Sequence, residues 1–283
     1  MSNKSEVNCA LCGTLSILRE SHIVPKFVYK WMKQTGTGRL RQLKKLNTPI
    51  QDGIKQKLLC GTCENLFSVE EKWFYENIFS QYLAGNISEI TFNQHIEYFS
   101  ISVLWRVLAL FINDGTNYHH KSQLNQLHQD WKQYLINPLI STQSPTVHLI
   151  FIPENIRPEA DTKNYFTYIM RSVDIDIIEN EEKCFIYAKF SRFIILGEVH
   201  GVNTSDFVNT SITINTTAKI SSQYFTDLEL VDYIKDRARN LKTYDDLSPE
   251  QQQKNDALYE PQLDKLRKSD YWKAMKNDEK TSN

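Results

Sequence analysis

The stretches CALCGTLSILRESHIVPK (residues 9–26) and LLCGTCENLFSVEEKWF (residues 58–74) decide how the N-terminus folds. Each stretch contains one Cys-x2-Cys pair, and the two pairs are formed by Cys9, Cys12, Cys60 and Cys63. Four thiolates at this spacing complete a closed tetrahedral site, for which zinc is the usual ion. The sequence therefore predicts a structural Zn²⁺ that joins the two stretches.

The use of cysteine indicates a reducing compartment. Four of the five cysteines lie in the pairs, and thiols in such pairs bind metal rather than form disulfides. The fifth, Cys184, lies in the apolar run CFIYAKF, which predicts a buried and inert thiol. The chain starts with polar residues, without the apolar core of a signal peptide, and its most apolar run (residues 101–112) is too short to span a membrane. We expect a cytoplasmic protein with no membrane association.

The charge is distributed unevenly along the chain. Residues 1–60 hold 11 Lys and Arg against three acidic residues, which leaves 22 basic and 31 acidic residues for the remainder. A basic head on an acidic body is typical of a protein whose head meets a polyanion. The predicted contacts to nucleic acid are Lys26, Lys30, Arg39, Arg41, Lys44 and Lys45. The alternative is a zinc-stabilised loop that its lysines keep soluble.

The remaining pattern predicts an α+β protein. Apolar periodicity predicts a helix after the second cysteine pair and further helices over residues 90–113, 120–136 and 227–241. Runs of β-branched and aromatic residues predict an antiparallel sheet from residues 147–152, 165–178, 183–196 and 211–216. We divide the chain into a zinc-stapled head (residues 1–85), a mixed helical and sheet body (86–245) and a charged, loosely held C-terminal tail (246–283).

The head resembles the zinc-stapled form of the HNH (ββα-metal) nuclease family. The resemblance covers about the first 80 residues and combines the two cysteine pairs with Ser21-His22-Ile23-Val24-Pro25 between them and Leu59-Cys60-Gly61-Thr62-Cys63-Glu64 at the second pair. It implies a treble-clef-like head in which a hairpin and a helix grip one Mg²⁺ or Mn²⁺ ion. His22 would then be the general base that activates water against a phosphodiester.

The resemblance also implies where the catalytic ion binds. Such sites take one ligand from the residue before the histidine and one from the residue after the last cysteine. Ser21 stands where the family has Asp or His, and Glu64 stands where it has Asn or His. Glu64 is a suitable ligand for a hard cation. Glu20, two residues before His22 and on the same face of a regular strand, is the candidate to replace the missing carboxylate.

Two functions follow from these observations. The first is a metal-dependent endonuclease acting on DNA rather than RNA, with His22, Glu64 and Glu20 as candidate catalytic residues. Chains with an HNH-like head on an unfamiliar body resemble bacterial or phage-related defence proteins. The alternative is a catalytically inactive zinc module that binds nucleic acid or a protein partner, because Ser21 departs from the family pattern and residues 55–57 (KQK) lack its structural Asn. The sequence does not predict the oligomeric state.

Overall fold

The computed structural model describes residues 6–41, 47–139, 146–154, 156 and 162–281. The fold is α+β with antiparallel sheets. The helices are α1 (Lys26–Gln34), α2 (Gly61–Phe74), α3 (Ser80–Leu83), α4 (Gln94–Phe111), α5 (Lys121–Ile136), α6 (Tyr165–Arg171), α7 (Leu228–Arg239), α8 (Pro249–Tyr259), α9 (Leu263–Arg267) and α10 (Asp270–Thr281). The strands are β1 (Val7–Asn8), β2 (Leu15–Ser16), β3 (Arg19–His22), β4 (Leu40–Arg41), β5 (Pro49–Ile50), β6 (Lys55–Leu59), β7 (Glu89–Thr91), β8 (Val147–Phe151), β9 (Val173–Glu179), β10 (Cys184–Phe190), β11 (Phe193–His200), β12 (Phe207–Val208), β13 (Thr217–Lys219) and β14 (Tyr224–Phe225).

Within its described residues, the head contains three two-stranded antiparallel ladders and three α-helices. β1 pairs with β2 around the first cysteine pair, and β3 pairs with β6 across an insertion that contains α1, β4 and β5. α2 begins directly after β6 and continues through a π-helical turn (Tyr75–Phe79) into α3. Gly85 follows with φ +76°, a left-handed conformation that glycine adopts readily and that ends the helix.

A four-stranded antiparallel sheet in the order β8-β11-β10-β9 forms the centre of the body. All seven residues of β10 are buried, because both faces of the sheet are covered. Ile186 and Ala188 point toward α4 and α5, whereas Phe185 and Tyr187 point toward α6, α7 and α10. This three-layer arrangement explains why the strand reads as one continuous apolar run rather than an alternating one.

Apolar contacts join the head to the body. Phe74 of α2 stacks on Phe99 of α4 with ring centroids 3.8 Å apart, and one hydrophobic cluster extends from Leu11 in the head to Ile186 in the sheet. α4 is buried along most of its length, including Arg106, which is 1% exposed. Within the residues that the structure describes, no helix has the length and apolarity needed to cross a lipid bilayer.

Three segments differ from the sequence-based predictions. Tyr165–Arg171 forms helix α6 instead of the first half of a strand, and only β9 continues the predicted stretch. In residues 211–216, only Ser211 takes part in β-structure, through an isolated bridge to His148. The predicted charged tail contains α8, α9 and α10, and Asp278 of α10 accepts hydrogen bonds from the backbone amides of Phe166 and Thr167. The tail is therefore packed against α6 rather than loosely held.

We expect Gly197→Ala to destabilise the protein, because α5 lies directly over this position of β11. A Cβ atom at Gly197 would lie 2.7 Å from Cη2 of Trp131 and 3.2 Å from Cδ1 of Leu104, both in the core. Overpacking of this kind costs about 1–3 kcal/mol of unfolding free energy, which urea denaturation would measure. Gly61→Ala is the matched control, since its nearest neighbouring atom is 3.5 Å away. Equal stability of Gly197→Ala and wild type would contradict the close packing of α5 on the sheet.

Candidate functional site

Four cysteines form a site that is positioned to hold a metal ion; we call it the four-thiol site (Cys9, Cys12, Cys60 and Cys63). Their sulfur atoms all lie within 4.8 Å of one another, and no disulfide joins them. Sγ of Cys12 and Sγ of Cys60 are 3.8 Å apart. A tetrahedral Zn²⁺ with bonds of about 2.3 Å requires sulfur atoms about 3.8 Å apart. In the part of the chain that the structure describes, these residues form the one cluster of three or more His, Cys, Asp or Glu with such geometry.

The surroundings of the four thiols suit a bound cation. The backbone N–H of Cys60 donates to Sγ of Cys9 at 3.3 Å, which stabilises a thiolate. Hydrogen bonding to Thr14 lowers the pKa of the exposed Cys12 thiol to about 6. Burial raises the pKa of the Cys63 thiol well above its ordinary value. A positive ion would offset that cost, because metal coordination deprotonates a thiol.

The register of β3 on β6 places consecutive residues of the Ser21-His22 motif on opposite faces of the hairpin. Ser21 lies opposite Gln56, and its neighbours Glu20 and His22 lie opposite Lys57 and Lys55. Ser21 is fully buried on the face that α2 covers, whereas Glu20 is exposed. Side chains alternate along a strand, so Glu20 and His22 share the outer face.

Ser21 and Glu64 meet although 43 residues separate them in the sequence. The hydroxyl of Ser21 donates to Oε2 of Glu64 at 2.5 Å. Glu64 is held in this place because it lies in the first turn of α2, one residue after the last cysteine. The two positions that the HNH resemblance marks as ion ligands are therefore in direct contact. The side chains of Glu20 and His22 point to the other face of the hairpin.

His22 is partly buried beside an aspartate. Its Nε2 lies 3.4 Å from Oδ2 of Asp52, which also forms an ion pair with Nζ of Lys55 at 2.9 Å. Burial lowers the pKa of His22, and the charges of Lys55 and Lys26 act in the same direction while Asp52 opposes them. The imidazole is therefore neutral near pH 7 and able to accept a proton.

Asp52 is ionised in this environment. Burial alone would raise its pKa, but the hydrogen bond from Lys55 and the nearby charges outweigh burial, and the pKa of Asp52 is lowered. Nε2 of His22 is buried and, among the described residues, has no hydrogen-bond partner, so the nearby Asp52 carboxylate acts on the ring through its charge. Nδ1 accepts no hydrogen bond from a described residue either, and it is the candidate nitrogen for a base because Nε2 is buried.

The predicted nucleic-acid contacts fall into three groups. Lys26 and Lys30 are exposed and lie one turn apart on α1. Arg39 and Arg41 each donate to Oδ1 of Asn255 in α8 at 3.1 Å, so the C-terminal helices hold these two side chains. Lys44 and Lys45 lie outside the described residues.

Sequence reasoning missed three residues around His22. They are Asp52, Arg106 and Glu71, to which the sequence patterns assign no role. Oε1 of Glu71 accepts a hydrogen bond from Nη1 of Arg106 at 2.7 Å. A lone arginine in an apolar helix was a usable signal, because a buried charge needs a partner.

Comparison with known proteins gives no relative from which to transfer a function. No protein-family model, no curated protein and no solved structure matches this chain. The function therefore has to be inferred from the residues of the four-thiol site and of the neighbouring Ser21, His22 and Glu64.

Proposed function

We propose that this protein is a metal-dependent endonuclease that hydrolyses phosphodiester bonds in nucleic acid, DNA in preference to RNA. The observation that carries the proposal is the contact between Ser21 and Glu64 beside His22 (2.5 Å from Oγ to Oε2). It arises in a strand–strand–helix unit (β3, β6, α2) next to four thiols, which is the arrangement that the HNH resemblance implies.

His22 is the general base in this proposal. Nε2 is buried next to Asp52, so Nδ1 is left to take a proton from the attacking water. Glu64 provides a carboxylate for a Mg²⁺ or Mn²⁺ ion, and Ser21 orients that carboxylate through its hydroxyl. When bound, such an ion stabilises the charge that develops on the phosphate and on the leaving oxygen. Glu20 shares the outer face of β3 with His22 and stays a candidate for a second carboxylate on that side.

Positive charge around His22 favours a phosphate backbone as the substrate. The charges of Lys26 and Lys55 lower the pKa of His22, while Asp52, which pairs with Lys55 at 2.9 Å, raises it. Lys30 extends the positive face along α1. Cationic side chains supply most of the sequence-independent affinity for nucleic acid. We propose that these lysines contact phosphates. Arg39 and Arg41 would do so only when their hydrogen bonds to Asn255 of α8 are broken.

The metal of the four-thiol site is proposed to be Zn²⁺ with a structural role. Thiolates prefer zinc to hard cations, and a site closed by four sulfurs has no position for water or substrate. Reduced thiols are stable in a reducing compartment, which supports a cytoplasmic location. The site would then hold the strands and α2 in place, while catalysis takes place at His22.

We expect His22→Ala to reduce the nicking of supercoiled plasmid by at least about 100-fold, because general-base catalysis contributes about 10²–10⁴-fold. The assay uses full-length, zinc-loaded protein in buffer free of Mg²⁺, to which Mg²⁺ or Mn²⁺ is added, since a chelator would also strip zinc. His95→Ala is the matched control, because His95 also pairs with a carboxylate, Glu70, at 2.8 Å. Equal activity of wild type and His22→Ala would contradict the proposal.

The second candidate is a catalytically inactive zinc module that binds nucleic acid or a protein partner. One observation favours it: Oε2 of Glu64 already accepts the Ser21 hydroxyl, so the two residues satisfy each other without an ion. This alternative predicts DNA or RNA binding that weakens steeply with salt, and no cleavage with any divalent ion. Binding that is insensitive to salt would instead indicate a protein partner.

A further inference from the structure

Arg106 of α4 extends from the body into the head and reaches the backbone of His22. Its Nη1 donates to the carbonyl oxygen of His22 at 2.8 Å and to Oε1 of Glu71 at 2.7 Å. Its Nε donates to the carbonyl oxygen of Ser102 at 3.1 Å, and its guanidinium lies 5.3 Å from the centre of the Phe67 ring. These contacts fix the guanidinium in one orientation, because the five donors of arginine have a rigid planar geometry.

We infer that Arg106 is a positioning residue for His22, and that the body is therefore part of the active site. The inference rests on the proposed function and adds a role for α4. His22 is the last residue of β3, and the chain turns away into α1 after it. A hydrogen bond to its carbonyl therefore fixes the point from which the imidazole projects. A displacement of about 1 Å at a catalytic group can cost about 100-fold in rate.

The same guanidinium also fixes α2, which carries Glu64. Glu71 and Glu64 are seven residues apart, so they lie on one face of the helix. The charge of Glu64 is among the causes that raise the pKa of Glu71, after burial, while Arg106 lowers it. Arg106 thus contacts the strand of His22 and the helix of Glu64 at once. Its position sets the distance between the proposed base and the proposed ion ligand.

A purely structural arginine would not require this arrangement. Nη2 of Arg106 is buried, and among the described residues it has no hydrogen-bond partner. An unsatisfied buried donor is unfavourable for folding. Nη1 nevertheless donates to both His22 and Glu71. The observed orientation therefore keeps these two hydrogen bonds, although Nη2 has no partner among the described residues.

The variant Arg106→Lys separates the positioning of His22 from the structural contribution of a buried positive charge. Arg106→Lys keeps the positive charge but loses the planar guanidinium with its several N–H donors. One ammonium group at this place cannot donate to Ser102, His22 and Glu71 at the same time. Arg192→Lys is the matched control. Arg192 is also buried, donates to a backbone carbonyl (Ile152, 2.8 Å), pairs with Glu154 at 3.1 Å and lies 4.6 Å from the centre of the Tyr82 ring, outside the site.

Selective labelling reports the contact directly. The sequence contains only two His-Ile pairs, His22-Ile23 and His95-Ile96. Full-length protein with ¹³C-carbonyl histidine and ¹⁵N-isoleucine therefore gives two peaks in a carbonyl–amide correlation spectrum, one at the site and one as an internal reference. A charge-assisted hydrogen bond polarises the carbonyl. We expect the His22 carbonyl resonance to shift in Arg106→Lys and to stay in place in Arg192→Lys, while the His95 peak moves in neither variant.

Plasmid nicking supplies the functional result. We expect kcat of Arg106→Lys to fall by about 100-fold with KM unchanged, because the base is displaced while phosphate contacts remain. An unmoved His22 peak, or a moved peak with unchanged kcat, would overturn the inference. If wild type does not cleave, the proposed function fails, and the two peaks still decide whether Arg106 fixes the His22 backbone. If Arg106→Lys does not fold, Glu71→Gln replaces it, since it weakens the anchor of the same guanidinium.

Discussion

Cys63→Ser is expected to abolish metal binding by the four-thiol site and to unfold the segment that contains β1, β2 and β3. Cys9 and Cys12 lie in the turn between β1 and β2, which joins the rest of the head through Cys60 and Cys63, through one backbone hydrogen bond (Ala10 N–H to the Leu58 carbonyl, 3.0 Å) and through the buried Leu11. β1 and β2 are two residues long, and Val7 and Leu15 are exposed. A ladder this short is not stable by itself, so the ion has to hold it.

The expected effect is large because binding of the ion and folding of the segment are coupled. Structural zinc contributes about 10–16 kcal/mol of apparent binding free energy in small zinc-binding peptides at pH 7. A serine hydroxyl is a poor replacement for a thiolate, so most of this free energy is lost. The body has its own core of helices and sheet, and we expect it to remain folded.

Two measurements check this prediction. Zinc content should fall from one ion per chain to none in Cys63→Ser, and hydrogen exchange should become fast in residues 7–22 while β10 and β11 stay protected. Cys184→Ala is the control, because Cys184 is also buried but lies in β10, away from the four-thiol site. Unchanged zinc content in Cys63→Ser would contradict the four-thiol site.

The sequence predicts well those features that depend on local patterns. The spacing of the cysteines predicts the four-thiol site, and the structure positions their sulfurs to hold an ion. Apolar periodicity predicts α4 and α5, and both form within the predicted ranges. The apolar run over residues 183–196 predicts β-structure, because a strand that is covered on both faces loses its polar positions. The structure divides this run into two strands, β10 and β11, with a turn at Ser191 that the sequence pattern does not predict.

The helix α6 could not be predicted in this way. Its sequence, YFTYIMR, is rich in aromatic and β-branched residues and favours a strand by propensity. The contact that favours a helix comes from Asp278, which accepts the backbone amides of Phe166 and Thr167 from 112 and 111 residues away. A local sequence pattern cannot reveal a hydrogen-bond partner that lies so far along the chain. The C-terminal helices were missed for the same reason, since their few buried residues, such as Leu266 and Ala274, make a weak apolar face.

In the candidate site too, some features follow from the local sequence and others only from long-range contacts. The motif residues Ser21, His22 and Glu64 are visible in the sequence, but the contact between Ser21 and Glu64 depends on the pairing of β3 with β6. Asp52 reaches His22 from the turn before β6, and Arg106 reaches it from α4. These two contacts join residues 30 and 84 positions apart. Only the folded chain brings them together, which is why sequence reasoning assigned them no role.

Removing one member of the buried pair between Arg106 and Glu71 is expected to destabilise the protein by about 3 kcal/mol. Breaking a buried ion pair costs about 3–5 kcal/mol, because the remaining charge is left without a partner. The side chain of Arg106 is 2% exposed and that of Glu71 is 21% exposed, so water partly compensates Glu71 and the lower end of this range applies. Arg106→Met and Glu71→Leu test the two single changes by urea denaturation.

The double variant Arg106→Met/Glu71→Leu should recover most of that stability, because two apolar side chains leave no buried charge. It should not recover plasmid nicking, since the hydrogen bond to the His22 carbonyl is absent in Arg106→Met and in the double variant alike. Stability that returns without activity would separate the positioning of His22 from the contribution of the pair to folding. Recovery of both would mean that Arg106 acts only through stability, and a double variant as unstable as the sum of the single changes would show that the pair does not interact.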